Sequence, residues 1–385
     1  MRFNHETWNC KKLIDLVSIH ARIGWQGLRQ SEFLNSGEIY LITGTDFDDG
    51  LINFNECKFI NSARYEQDKN IQIDNNDILI TKDGSIGKIA YINFLDKKAT
   101  LNAGIYRVRV KKDEILSRYL FHYLNGNRLM DFASKQMTGG TIKHLNQSSI
   151  INMPISYPSL KTQAKLYKFF DLIECRIKSQ SKIIEDLELL KKWFINQQFE
   201  QNPNAIIGQF IKQTFERNKN NGVTRVLSVS NKYGFINQNE QFEDREVASN
   251  DKTNYKIVRQ NDFAFNPARI NVGSISKLNN YDTGIVSPMY ICFRCNSNDI
   301  IADYLDFYFL SSSFKKALNN RLEGSVRQCL QYDALCSIKF LVPSLEEQIM
   351  FVNKIKLISE KLQKEKDILE LYKKQKAYLL QNMFI

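Results

Sequence analysis

The sequence predicts an α+β chain assembled from two tandem globular domains, each followed by a long α-helix, with the helices pairing as an antiparallel coiled coil and the halves related by a pseudo-twofold. Three observations predict this: an internal repeat, two uninterrupted helical stretches, and strand-like runs ahead of each. Residues 145–199 align with 330–384 at a constant shift of 185 without a gap, and eleven of 55 positions are identical. Unrelated sequences of ordinary composition would share about three. The same shift carries Asn76-Asp77 onto Asn261-Asp262, Arg109 onto Arg294, Tyr119-Leu120 onto Tyr304-Leu305 and Gly139 onto Gly324, with one small insertion near Ser85-Ile86-Gly87. A period of 185 is too long for a solenoid and describes a duplicated two-part domain.

The elements follow in order. In residues 1–158, short β-type runs such as Glu38-Ile-Tyr-Leu-Ile-Thr, Asp77-Ile-Leu-Ile-Thr, Lys88-Ile-Ala-Tyr-Ile and Ile105-Tyr-Arg-Val-Arg-Val alternate with turns, and a single helical stretch over 116–132 closes the domain. Residues 159–200 form the first long helix. Pro158-Ser159 marks its start, because proline cannot continue a helix backwards and serine is a good N-cap. Residues 201–343 repeat the globular pattern with Arg225-Val-Leu-Ser-Val, Asp262-Phe-Ala-Phe-Asn and Ile285-Val-Ser-Pro-Met-Tyr-Ile, and a helical stretch over 301–318. Residues 344–385 form the second long helix, opened by Ser344 and Glu347 as a capping box, of which Ser159 with Thr162 is a weaker version.

In both long helices the apolar residues follow a 4-3 spacing, Leu166, Phe170, Ile173, Ile177, Ile184, Leu187 and Phe194 in the first, Phe351, Ile355, Ile358, Leu362, Leu369, Tyr372 and Leu379 in the second. That is a coiled-coil seam. Gln180 and Glu365 interrupt it at equivalent places, and in an antiparallel pair they would meet and fix the register. The competing reading packs each helix on its own globular domain.

Charge and composition narrow the partners. The net charge is +11 and the pI near 9.1, which favours a polyanionic partner such as nucleic acid or an acidic membrane surface. Hydrophobic residues at 43% exclude a disordered chain, and no apolar run approaches the roughly 20 residues of a membrane span. The N-terminal residues show no secretory pattern, and the seven cysteines are scattered, as expected of reduced thiols in a cytoplasmic protein. Cys292-Phe-Arg-Cys295 lies in a strand-like run without partner ligands, so no metal site is expected.

Chemistry is missing too. Asn266-Pro-Ala-Arg269 lacks the second proline and the aromatic of an adenine methyltransferase motif, and Gly84-Ser-Ile-Gly-Lys-Ile has the wrong spacing for a phosphate-binding loop. No catalytic residue is assigned.

Two similar basic domains joined to stiff helices suit a reader of two places on one double-stranded DNA. At this point the chain resembles the specificity subunit of a type I restriction-modification system over essentially its whole length. The resemblance is carried by Trp8-x4-Leu13-x2-Leu16-Val17, the runs Asp77-Ile-Leu-Ile-Thr-Lys-Asp-Gly-Ser-Ile-Gly and Asp262-Phe-Ala-Phe-Asn-Pro-Ala-Arg-Ile-Asn-Val-Gly-Ser, the Gly139-Gly-Thr and Gly324-Ser loops, and a Pro-x4-Gln start to each long helix. One departure is Ser159-Leu-Lys-Thr-Gln163, where the family has Glu before Gln, as in Ser344-Leu-Glu-Glu-Gln348. The resemblance implies two target-recognition domains, 1–158 and 201–343, and two conserved helices that act as a ruler for an asymmetric bipartite target. It further implies docking of two methyltransferase subunits and of restriction subunits. S-adenosylmethionine would then belong to the methyltransferase partner, ATP and Mg2+ to the restriction partner, and no cofactor to this chain. The alternative is a non-catalytic coiled-coil scaffold that binds DNA or acidic proteins without sequence preference.

Loops that combine glycine with basic and amide side chains are the expected DNA contacts, since glycine admits close backbone approach and the side chains supply donors. In the first domain these are Arg22, Gln26 and Arg29, then Lys82, Ser85 and Lys88, then Thr141, Lys143 and His144. In the second they are Arg217 and Lys219, then Arg269, Asn271 and Ser274, then Arg327 and Gln328. Arg109 and its equivalent Arg294 lie on strands and are added to the set, Arg109 sharing a face with Arg107 and Lys111. The stripe Tyr119, Phe121, Tyr123 is expected in the core.

Overall fold

The computed structural model describes residues 8–126, 128–135, 144–231, 233–238, 251–296, 298–322 and 329–384. The chain divides into two compact units, residues 1–181 with 368–385, and residues 182–367. Each unit holds one globular domain, the part of its own long helix nearest to it, and the far end of the other long helix.

In the first unit, strand Asn9–Lys12 pairs antiparallel with Pro154–Tyr157, tying the beginning of the domain to its end. The central sheet runs in the order Val17–Ala21, Ile105–Val110, Ile78–Thr81, Ile89–Tyr91, all antiparallel. A second four-stranded sheet contains a parallel pair, Ile39–Ile42 beside Lys98–Leu101. The second unit repeats the tie as Ala205–Ile206 with Lys339–Phe340, and the central sheet as Ile211–Thr214, Ile291–Cys295, Phe263–Phe265, Ile275–Lys277. Its remaining strands form two ribbons, so the copies share the central sheet and diverge around it.

Repetition extends to single hydrogen bonds. The Tyr119 and Tyr123 hydroxyls donate to the carbonyls of Ser156 and Pro154, and those of Tyr304 and Tyr308 donate to Leu341 and Lys339, each pair displaced by 185 residues. Asn76 and Asn261 adopt left-handed φ of 68° and 69°, a conformation asparagine tolerates. Tyr119, Phe121 and Tyr123 are buried, as the sequence led us to expect.

The two helical stretches are each split. Ser117–Leu124 and Arg128–Lys135 replace one helix over 116–132, and Ala302–Leu310 and Ser312–Asn319 replace one over 301–318. The causes are local. A Cβ on Gly126 would stand 3.1 Å from the Leu380 carbonyl, so the chain turns where it passes the end of the second long helix. In the other copy the Ser311 hydroxyl accepts from the Phe314 amide at 3.1 Å and donates to the Tyr308 carbonyl at 2.7 Å, ending one helix and starting the next.

The long helices run Leu160–Phe199 and Leu345–Asn382, about 60 and 57 Å at 1.5 Å per residue. The capping box at Ser344 is formed, with the Ser344 amide donating to Glu347 at 3.0 Å and the Glu347 amide to the Ser344 hydroxyl at 3.4 Å. The Ser344 hydroxyl, donating to the same carboxylate at 2.8 Å, and then the Ser344 amide hold the Glu347 carboxyl below its ordinary range. At Ser159 the hydroxyl instead donates to Thr162 Oγ1 at 3.3 Å.

Within the first unit Phe170 stacks on Phe384 at 5.3 Å and Glu174 pairs with Lys376 at 3.0 Å. Within the second unit Lys366 pairs with Glu188 at 2.7 Å, and Phe199 meets Phe351 at 5.8 Å. Numbers rise on one helix as they fall on the other, so the pairing is antiparallel in each unit. Every apolar seam position named above is buried or half-buried, and Gln180 and Glu365 are buried. Each helix also packs its first turns on its own domain, so the two readings of the seam hold together.

Candidate nucleic-acid interface

The first-domain loops are shaped by internal hydrogen bonds before they offer anything outward. Arg22 is 3% exposed and its Nε donates to the Leu101 carbonyl at 2.9 Å. Gln26 is 4% exposed and accepts from the Ile23 amide. Both therefore hold their loop in place, which corrects the expectation that their side chains face DNA. Arg29 in the same segment is exposed.

The turn after strand Ile78–Thr81 is built for outward display. Gly84 and Gly87 adopt φ of +70° and +81°, and the Lys88 amide donates to the Thr81 hydroxyl at 2.9 Å. Ser85 and Lys88 are exposed. Asp83 then joins two of the proposed loops, accepting from Lys82 Nζ at 2.9 Å and lying 2.6 Å from His144 Nδ1. These contacts hold its carboxyl below the usual range against the opposing effect of burial. Thus Lys82, Ser85, Lys88 and His144 stand at one place. Thr141 and Lys143 lie outside the described residues.

Arg109 and Arg294 are occupied. Arg109 makes two contacts of 2.7 Å with Asp77 and one of 2.7 Å with Asp74, and Arg294 pairs with Asp262 at 3.0 Å. Asp77 and Asp262 are buried, and each also receives an amide three residues back, from Asp74 at 2.8 Å and Arg259 at 2.9 Å. A buried carboxylate needs such partners, so these arginines complete the fold of the Asn-Asp turn. Arg107 is 4% exposed and donates to the Gln72 carbonyl at 3.2 Å. The shared strand face is thus internal at Arg107 and ion-paired but partly exposed at Arg109.

In the second domain Arg217, Lys219, Arg269 and Asn271 are exposed. Gly273 at φ +88° closes the turn that carries the last two. Ser274 is buried and its hydroxyl donates to the Val229 carbonyl at 3.1 Å, so it anchors that turn and is withdrawn from the contact set. Arg327 and Gln328 lie outside the described residues.

A cleft of about 690 Å3 opens beside this turn, its walls including Asn231, Asn271, Asn279, Asp306 and Lys315. Burial pushes the Asp306 carboxyl up to about 6, only partly opposed by Lys277. Because the folded state holds this proton more tightly than the unfolded chain, the associated stability is present below about pH 4 and is lost as pH rises through 6. Asp306→Asn is therefore expected to stabilise the chain at pH 7–8, by on the order of 2 kcal/mol, and to make no difference near pH 4. Urea unfolding at the two pH values measures this, and a neutral or harmful effect at pH 8 would contradict it.

His122, Asp171 and Glu174 bring potential metal-ligand atoms within 4.8 Å of one another. Cations already serve the carboxylates: Arg118 reaches Asp171 at 2.8 Å and Glu174 at 3.2 Å, and Lys376 reaches Glu174 at 3.0 Å. Burial pushes the His122 imidazole below its ordinary value although Asp171 accepts from it. The cluster is an ion-pair network between helices. Cys292 and Cys295 lie three apart on one strand, hence on opposite faces, and burial pushes both thiols up to about 12.

Gln163 and Gln348, the glutamines of the Pro-x4-Gln starts, carry a structural role that the sequence motif alone did not assign. Gln163 accepts from the Leu116 amide at 2.8 Å and donates to the carbonyls of Glu114 and Pro158 at 2.9 Å each. Gln348 repeats all three bonds on Ile301, Asp299 and Pro343 at 2.9 Å. The signal was available, since glutamine recurs at both starts.

Residues 5–189 match the type I restriction modification DNA specificity domain. Among characterised proteins, the type I restriction enzyme MjaVIII specificity subunit of Methanocaldococcus jannaschii is 24% identical over 81% of this chain and 80% of its own length. The MjaIX specificity subunit of the same organism is 34% identical over 31% of this chain, a stretch that spans only 28% of that relative. Among solved structures, a chain from a study of complex assembly and conformational transition of the type I R-M system superposes with a TM-score of 0.61 at 14% identity, covering 98% of this chain and 97% of that one. The type I restriction-modification S subunit from M. genitalium gives 0.55 at 14% identity, covering 100% and 98%. Among the described residues, no helix is long and apolar enough to cross a membrane.

Proposed function

We propose that the chain is a type I restriction-modification DNA specificity subunit, the family whose DNA specificity domain its residues 5–189 match, and that it reads an asymmetric bipartite DNA target, one half-site per globular domain. It is the non-catalytic member of its system, catalysis residing in the methyltransferase and restriction subunits. The observation that carries the bipartite reading is the repeat, in which the central sheet, the Asn-Asp turn and the helix start recur while the surrounding loops differ. Two frames with different loops suit two half-sites of different sequence. The exposed residues Arg29, Ser85, Lys88 and His144, with the half-buried Lys82, would serve one half-site, and the exposed Arg217, Lys219, Arg269 and Asn271 the other. Arg269 has the fork geometry for a guanine edge and Asn271 the amide for adenine.

The long helices are the ruler in this reading, with Gln180 and Glu365 as the buried polar seam positions that set their register. They also present Leu172, Leu189, Trp193, Leu357 and Leu371 outward at 53–70% exposure, apolar side chains suited to docking two methyltransferase subunits. S-adenosylmethionine would then act in those partners, and ATP with Mg2+ in restriction subunits, all in the cytoplasm.

The test is co-expression with the methyltransferase of the same system and genome-wide mapping of methylated adenines. A two-part motif with a fixed gap is expected, and methylation that is independent of this chain overturns the reading. Inserting one heptad into each long helix, after residues 181 and 367, should change the gap. An unchanged gap refutes the ruler.

A further inference from the structure

Each domain meets the opening turns of its own long helix through ion pairs, and the two copies use opposite signs. In the first unit the domain supplies the cation: Arg118 lies 2.8 Å from Asp171 and 3.2 Å from Glu174 on the first long helix, with His122 2.8 Å from the same Asp171. In the second unit the domain supplies the anion, Asp303, and the helix supplies Lys356 at 2.6 Å. Arg118 and Asp303 are equivalent under the shift of 185, as are Asp171 and Lys356.

A third member changes with them. The Tyr91 hydroxyl donates to Asn76 at 2.8 Å, and Lys277 Nζ donates to the equivalent Asn261 at 3.1 Å, so the two occupy the same position. Tyr91 lies under the Arg118 guanidinium at 4.6 Å, whereas Lys277 pairs with Asp303 at 2.6 Å. An aromatic face suits a cation above it, and an ammonium suits an anion. Domain, helix and supporting strand have therefore reversed polarity together.

We propose that these reversed pairs form a matching key, so that the exchangeable unit of this chain is a globular domain together with the first turns of its long helix, through residues 176 and 361. A domain moved alone, with its boundary at Pro158 or Pro343, meets like charge: Asp303 would face Asp171 and Glu174, and Arg118 would face Lys356. The partner this surface accepts is a helix of opposite sign at that position, whether from this chain or from another specificity chain of the same architecture. The proposal rests on the fold alone and stands or falls without reference to the DNA target.

The experiment is thermal unfolding of the full chain without DNA. Arg118→Asp and Asp171→Lys should each lower the midpoint by about 5 °C or more, because one charge of a partly buried pair is left facing its like. The combination Tyr91→Lys, Arg118→Asp, Asp171→Lys, Glu174→Ser copies the polarity of the second unit and should recover at least half of that loss. Asp171→Asn removes charge without reversing it and should cost less than Asp171→Lys. If the combined variant is as unstable as the sum of its parts, or Asp171→Asn is as harmful as Asp171→Lys, the sign of the pair is irrelevant and the key is refuted. Domain-exchange chains give the second readout. Those joined at 158 and 343 should be less stable than those joined at 176 and 361, and equal stability overturns the proposal.

Discussion

Phe384→Ala is expected to cost the first unit about 3–5 kcal/mol, the usual penalty for emptying a buried aromatic site. Phe384 is 1% exposed and packs on Tyr119, Tyr123 and Phe170 with ring centroids 5.3–5.5 Å apart. These rings belong to the domain and to the start of the first long helix, so one side chain joins three segments. The midpoint of thermal unfolding should fall by roughly 10 °C, and protection of amides in residues 368–384 should be lost first. The equivalent Phe199 lies 5.0 and 5.1 Å from Tyr304 and Tyr308. Phe199→Ala should loosen the second unit by a similar amount. A change of less than 1 kcal/mol in both variants would show that the helix ends are held by something other than these rings.

Gln163→Leu is the second large effect. The substitution preserves bulk but strands the Leu116 amide and the carbonyls of Glu114 and Pro158, which together should cost about 3 kcal/mol. Gln163→Glu should do no better, since a carboxylate retains the acceptor and sets negative charge against two carbonyl oxygens. Urea unfolding of the two variants measures this, and wild-type stability in either would mean that the helix start is secured elsewhere. The departure at Ser159-Leu-Lys-Thr-Gln163 has a physical reading here: the capping box is dispensable because the glutamine bonds remain.

The repeat made most of the architecture legible. A constant shift needs no knowledge of long-range contacts, and the 4-3 spacing marked the buried face of both long helices. Breaks at Gly126 and Ser311 were not legible, because one depends on the passing backbone of Leu380 and the other on a hydroxyl that both caps and donates. Site residues were harder for the same reason. Arg22 reads as a loop cation until the Leu101 carbonyl, 79 residues away, is placed beside it. Arg109 carried a clue, since Asp77 recurs with it in the second copy as Asp262 with Arg294, and a pair repeated together is more often a pair in space.

The return of each long helix into the opposite unit also sets an order in time. During synthesis the first domain emerges with Tyr119, Tyr123 and Phe170 in place but without Phe384, which follows Phe170 by 214 positions. At about 5–20 residues per second that interval is roughly 10–40 s, during which an aromatic pocket stands open on the nascent chain. A message cut short before Phe384 would therefore release a product with that pocket unfilled, exposed to chaperones and proteases.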